Sequence, residues 1–167
     1  PLSQKPTRVV ATFKELDSAL EFAYAAKSLK PRKIDFYDLK IIQEARESGK
    51  NLDGVIRKIE DGFVVLVSLD ERINGCIKKI TNMQKDYPRT SKFIFEDINN
   101  RVALNEFENA LSVYLNNSKG GERVPILTDF YLPARNIGGF LKDLKVLEEK
   151  LKLDLALYGS YATSIYS

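Results

Sequence analysis

The sequence predicts an α+β fold, with ferredoxin-like βαββαβ units forming an antiparallel sheet that carries helices on one face. Three observations carry that expectation. Short runs rich in β-branched and aromatic residues alternate with segments whose apolar residues recur every three to four positions. The resulting order is β-α-β-(α)-β-α-β-α-β-α-β, so the first four strands complete one βαββαβ unit and the last two begin a second. No strand runs into the Gly-rich turn that a parallel nucleotide-binding sheet places at its switch point, which ranks a doubly wound parallel sheet second.

Pro1 to Pro6 is polar with two prolines and reads as a linker, leaving 7–167 as the folded unit. Thr7 to Phe13 (TRVVATF) is a strand by its β-branched and aromatic content. A helix opens near Asp17, with Leu16, Ala19, Leu20, Ala23, Ala26 and Leu29 on one face, and Pro31 marks its end. Lys33 to Leu39 is the second strand, with Ile34, Phe36 and Asp38 sharing a face. Helical stretches at Leu39–Ser48 and Leu52–Ile59 flank the break at Gly49.

Gly62 to Asp70 (GFVVLVSLD) is the clearest strand. Its core, Phe63 to Val67, is continuously apolar, so both faces need cover. With helices on one face only, the second cover would be a partner domain or another part of the sheet. Glu71 to Tyr87 is a helix with Ile73, Cys76, Ile77 and Ile80 inward, which makes Cys76 a small buried hydrophobe rather than a reactive thiol. Ser91 to Glu96 is a strand. Ile98 to Asn117 is a helix with Leu104, Phe107, Leu111, Tyr114 and Leu115 on one stripe. After the loop 116–122, Arg123 to Pro133 reads as a strand. A helix with Ile137, Phe140, Leu141, Leu144, Leu147 and Leu151 inward comes next, and a last strand closes the chain.

Composition excludes several classes. The chain has 167 residues, enough for one domain, and a 44% hydrophobic fraction, enough for a core. Its 26 basic and 23 acidic residues are interspersed, with no basic stripe to bind nucleic acid. No apolar run spans a bilayer, and no signal peptide is expected. A single Cys rules out an internal disulfide and fits a reducing compartment, so a cytoplasmic location is expected, with peripheral membrane attachment of a parent protein left open. Without any His or a second Cys, no Ser-His-Asp, Cys-His or zinc pattern can form. Asp35 and Asp38, three apart, read as strand-end and cap residues. The chain starts at Pro1 without Met and stops at Ser167 inside a motif, which suggests a piece of a longer protein.

Three segments carry a family resemblance. Ile34–Asp38 (IDFYD) resembles an h-E-h-h-D segment, with h an apolar residue. Asp129–Pro133 (DFYLP) resembles a D-h-x-h-P strand. Tyr158–Ser167 (YGSYATSIYS) stands where a Gly-His-Ala-Gly-Asp-Gly-Asn-Leu-His turn should be. In this order and spacing they are similar to the C-terminal substrate, or cap, domain of the FAD-linked oxidases, which include D-lactate, glycolate and D-2-hydroxyglutarate dehydrogenases. The resemblance implies a domain that places a small-molecule substrate over a flavin held by another domain of the same parent chain. The cofactor would be FAD, bound mainly outside these residues, and the fragment alone would be inactive.

The sequence also departs from the family. The two metal-site histidines of that turn align with Ser160 and Ser167, so no metal is expected. The segment matching the family's substrate-carboxylate Arg, Glu106 to Tyr114, contains no Arg. Within the resemblance, the substrate-binding candidates are Asp129, Arg135, Tyr158, Ser160 and Tyr161. Asp129 would face substrate and flavin, or else be a strand-end carboxylate bonded to backbone amides. Arg135 would fork onto a substrate carboxylate, or else be a solvated surface residue. The tyrosines and serines of the last strand would orient substrate with hydroxyls, or else be the wet edge of a half-buried strand. The alternative function is a non-catalytic ferredoxin-like module that binds a small ligand or partner protein through an open sheet face.

Overall fold

The computed structural model of the chain describes residues 7–47, 55, 62–70, 75–117 and 133–163. Five strands form one sheet: β1 (Thr7–Phe13), β2 (Lys33–Asp38), β3 (Phe63–Leu69), β4 (Lys92–Phe95) and β5 (Tyr158–Thr163). Their order is β4-β1-β3-β2-β5, and every neighbouring pair is antiparallel. The helices are α1 (Leu16–Ala26), α2 (Leu39–Glu47), α3 (Cys76–Met83), α4 (Arg101–Asn117) and α5 (Ala134–Leu151). α1 carries the chain from β1 to β2 across β3, and α3 carries it from β3 to β4 across β1. These two interleaved crossovers define the βαββαβ unit, so the α+β, ferredoxin-like antiparallel sheet holds.

The core is double. On the first face, Val9, Ala11 and Phe13 of β1, Val65 and Val67 of β3, and Ile34 and Phe36 of β2 pack against Ala19, Phe22 and Ala23 of α1, Ile80 of α3 and Leu141 of α5. Phe13, Phe22, Tyr87 and Phe93 cluster there with ring centroids 5.2–6.2 Å apart, mostly edge to face. On the second face, Val10, Val64, Leu66, Tyr37 and Ile94 pack against Leu39, Ile41, Ile42 and Ala45 of α2 and Leu104, Phe107 and Leu111 of α4.

Helices therefore cover both faces, not one. The continuous burial of Val64 to Leu69 requires this, because successive side chains of a strand point to opposite faces. The second cover expected from a partner domain comes from α2 and α4 of the same chain. β5 joins the same antiparallel sheet at its edge, beside β2. The expected strand at 123–133, and most of the expected short helix at 52–59, lie outside the described residues.

Other elements lie within a few residues of their expected bounds, with informative exceptions. Phe22, absent from the predicted stripe of α1, is fully buried. Ile77, expected inward, is exposed, as are Leu147 and Leu151 at the far end of α5. α5 is longer than the surface it covers, so its apolar stripe outruns the core.

Gly62 sets the entry to β3. Its φ is +98°, and a Cβ built there would stand 1.9 Å from the carbonyl oxygen of Phe13. Its own carbonyl accepts the Leu39 amide at 3.0 Å, joining the start of β3 to the start of α2. A Gly62→Ala variant should lose at least about 1–3 kcal/mol, the scale of one strained backbone position, read as a lower denaturant midpoint at unchanged slope.

Candidate functional site

The segments Ile34–Asp38 and Tyr158–Thr163, over a hundred residues apart in sequence, become neighbours in the sheet. Tyr37 pairs with Tyr158, Phe36 with Gly159, Asp35 with Ser160, and Ile34 with Ala162. The register shifts between Ile34 and Asp35, so Tyr161 is an extra residue on β5. Bulges of this kind bend a strand locally and re-aim its side chains.

Pairing assigns the faces. Partners directly opposite each other share a face. Asp35, Tyr37, Tyr158 and Ser160 therefore belong to the second face, where Tyr37 joins the core of α2 and α4. Tyr161 packs against the first-face core instead. The structure thus brings Tyr158 and Ser160 together and separates Tyr161 from them. Burial pushes the Tyr161 phenol up, helped by nearby Tyr24, so Tyr161 is no base near neutral pH. Tyr158 is exposed, and the Ser160 hydroxyl donates a long bond, 3.4 Å, to the Ile34 carbonyl. Arg135 is exposed in the first turn of α5, which packs on the first face. Asp129 and Ser167 lie outside the described residues.

Two residues not singled out in the sequence, Lys33 and Tyr37, belong to the same cluster. Tyr37 is buried, and its hydroxyl donates to Asp35 Oδ2 at 3.4 Å. Lys33 Nζ reaches the same oxygen. Burial, then the Asp35 charge, then the Glu108 charge raise the Tyr37 phenol far above its ordinary range, so Tyr37 acts as a fixed hydrogen-bond donor. The Lys-x-Asp-x-Tyr alternation within an apolar strand was the available signal. Asp35 is therefore not a strand-end residue but a buried carboxylate inside β2. Asp38 does cap: its Oδ1 accepts the Lys40 amide at 3.1 Å at the start of α2.

An ionic clamp holds the approach to β5. Lys40 of α2 donates to Glu148 of α5 at 2.8 Å, to Asp154 at 2.7 Å and to the Leu155 carbonyl at 3.1 Å. Glu148 also accepts the Leu155 amide at 2.9 Å and pairs with Lys145 at 3.2 Å. Lys145 in turn reaches Asp38 at 3.4 Å. The clamp ties the end of α5 and the segment leading into β5 to the junction of β2 and α2.

Among the described residues no group of three or more His, Cys, Asp or Glu side chains converges to hold a metal ion. No described helix is long and apolar enough to cross a membrane. The sequence matches no protein-family model and no curated protein.

Burial alone would raise the Glu148 carboxyl. Hydrogen bonds from Lys40, the Leu155 amide and Lys145 outweigh it and hold the pKa at about 2. An unfolded Glu titrates near about 4.3. A depressed folded pKa stabilises the fold above the unfolded value, and that contribution is lost as pH falls through the folded one. Urea midpoints should therefore drop between about pH 5 and pH 2. In Glu148→Gln the midpoint should be lower at pH 7 and flatter across that window; equal slopes in both proteins would contradict the clamp.

Proposed function

We propose that this chain is the substrate, or cap, domain of an FAD-dependent oxidoreductase acting on CH–OH groups, a divergent member of the FAD-linked oxidase group that its motifs resemble. The observation that carries this reading is the pairing of β2 with β5. Two of the three resembling segments, far apart in the chain, lie side by side and present hydroxyls together, as residues of one substrate site would.

The described residues do not fit a flavin anchor. Gly138 and Gly139 lie inside α5, and no described loop offers consecutive glycine amides to a pyrophosphate. In this reading FAD is bound by another domain of the parent and supplies the two-electron acceptor. The share of this chain is to bind and orient the substrate. Hydroxyl donors at Tyr158 and Ser160 fit that role, whereas no imidazole exists to take up the substrate proton. A module that binds through an open sheet face has less support, because Val64 to Val67 are buried under the chain's own helices.

The test is the visible absorption spectrum of the full-length parent. A flavin doublet that bleaches under anaerobic conditions on adding a CH–OH substrate is the expected result. A protein that stays colourless after incubation with FAD would overturn the reading.

A further inference from the structure

The side-chain chemistry at the β2–β5 edge narrows the class of substrate. Asp35 is only 4% exposed. Both its contacts, the Tyr37 hydroxyl and Lys33 Nζ, fall on Oδ2. Oδ1 has no hydrogen-bond partner among the described residues. No described side-chain oxygen or nitrogen is both sealed from solvent and unpartnered. Oδ1 is therefore an open acceptor that reaches solvent from within a nearly buried residue. A donor from a ligand can take the place of solvent at that oxygen.

The neighbours of Oδ1 set what that donor can be. Ser160 stands directly opposite Asp35, with Cβ atoms about 4.5–5.5 Å apart by strand geometry. Its long bond to the Ile34 carbonyl leaves its lone pairs free. Tyr158, opposite Tyr37, adds an exposed hydroxyl. The bulge beside Asp35 turns this stretch of β5 relative to β2. An ionised carboxylate only accepts, so the ligand must donate to it. Among the described residues the one cation at the cluster, Lys33, is already matched by Asp35. A carboxylate ligand would meet a like charge with no described cation left to offset it. Arg135, the cation weighed as an anchor, belongs to a helix on the other face of the sheet.

We propose that Asp35, Ser160 and Tyr158 form the polar wall of a site for a neutral polyhydroxy compound, whose adjacent hydroxyls donate to Asp35 and exchange hydrogen bonds with Ser160 and Tyr158. This rests on the oxidoreductase reading and deepens it: the substrate is an alditol or a sugar ring, not a 2-hydroxy acid anion. Asp35 and Ser160 bind and position; no proton transfer is assigned to them.

The experiment is an amide NMR titration of the 167-residue chain with sorbitol, methyl α-glucoside and D-lactate. Saturable shifts at 33–37 and 158–161 with sorbitol or the glucoside, and none with D-lactate, are expected; which polyol binds distinguishes open-chain from ring substrates. Asp35→Asn should weaken that binding about tenfold or more, and Ser160→Ala several-fold, the scale of one charged and one neutral hydrogen bond. If Asp35→Asn loses its dispersed spectrum, Ser160→Ala carries the test. Binding of D-lactate equal to that of the polyols, no shift with any of the three compounds, or polyol binding insensitive to Ser160→Ala would overturn the proposal. The flavin reading fails separately, on the colour of the parent, whichever compound binds here.

Discussion

The two central strands must bury both their faces, and the rest of the architecture depends on that. β3 is apolar at every position but Ser68, β1 carries a continuous Val9–Ala11 run, and no residue of either strand is exposed. An antiparallel sheet with one wet face would alternate apolar and polar residues, and these strands do not. The crossover helices α1 and α3, with α5, close the first face. A second layer is then obligatory, and α2 and α4 supply it. Gly62 makes the layering possible locally, because only a residue without a side chain fits against the Phe13 carbonyl where β3 begins beside α2.

The charged groups buried in this sheet are held by partners of opposite charge. Arg8 on β1 is buried among Glu96 and Glu108, and Arg101 closes on Glu96 from α4. Such pairs add little net stability over apolar residues of the same volume, yet losing one partner strands the other's charge. Burial opposes ionisation of Glu96, but the hydrogen bonds and charge of Arg8, with Arg101, lower its pKa overall. The Lys40–Glu148 clamp obeys the same logic on the opposite side of the sheet, where it holds the entry to β5. Asp35 is the exception, since one of its oxygens is left open among the described residues. That contrast between carboxylates closed by partners and one with an oxygen open to solvent sets the β2–β5 edge apart from the structural networks.

Periodicity makes the elements legible. The apolar runs of Thr7–Phe13 and Phe63–Leu69, set against three- and four-residue repeats, separate strand from helix because each pattern suits only one geometry. Periodicity does not say on which side of a sheet a helix lies, so the placement of α2 and α4 emerges only in the fold. Two aspartates three apart look alike in sequence; register alone makes Asp38 a cap and Asp35 a buried strand residue. Tyr158 and Ser160 share a face as strand alternation implies, whereas a bulge and its consequence for Tyr161 leave no mark in single-sequence patterns. A stripe of leucines shows an apolar face but not how far the core extends, which is why the far end of α5 is exposed where the stripe predicts burial.

The pairing of β2 with β5 is the central claim, since it assigns Asp35, Tyr158 and Ser160 to one face. Cross-strand proton contacts in solution test it most directly. Contacts between Tyr37 and Tyr158, and between Asp35 and Ser160, are the result this account predicts. A register displaced by one residue would turn Ser160 and Tyr158 to the first face, and contacts in that register, or none between these strands, would contradict it.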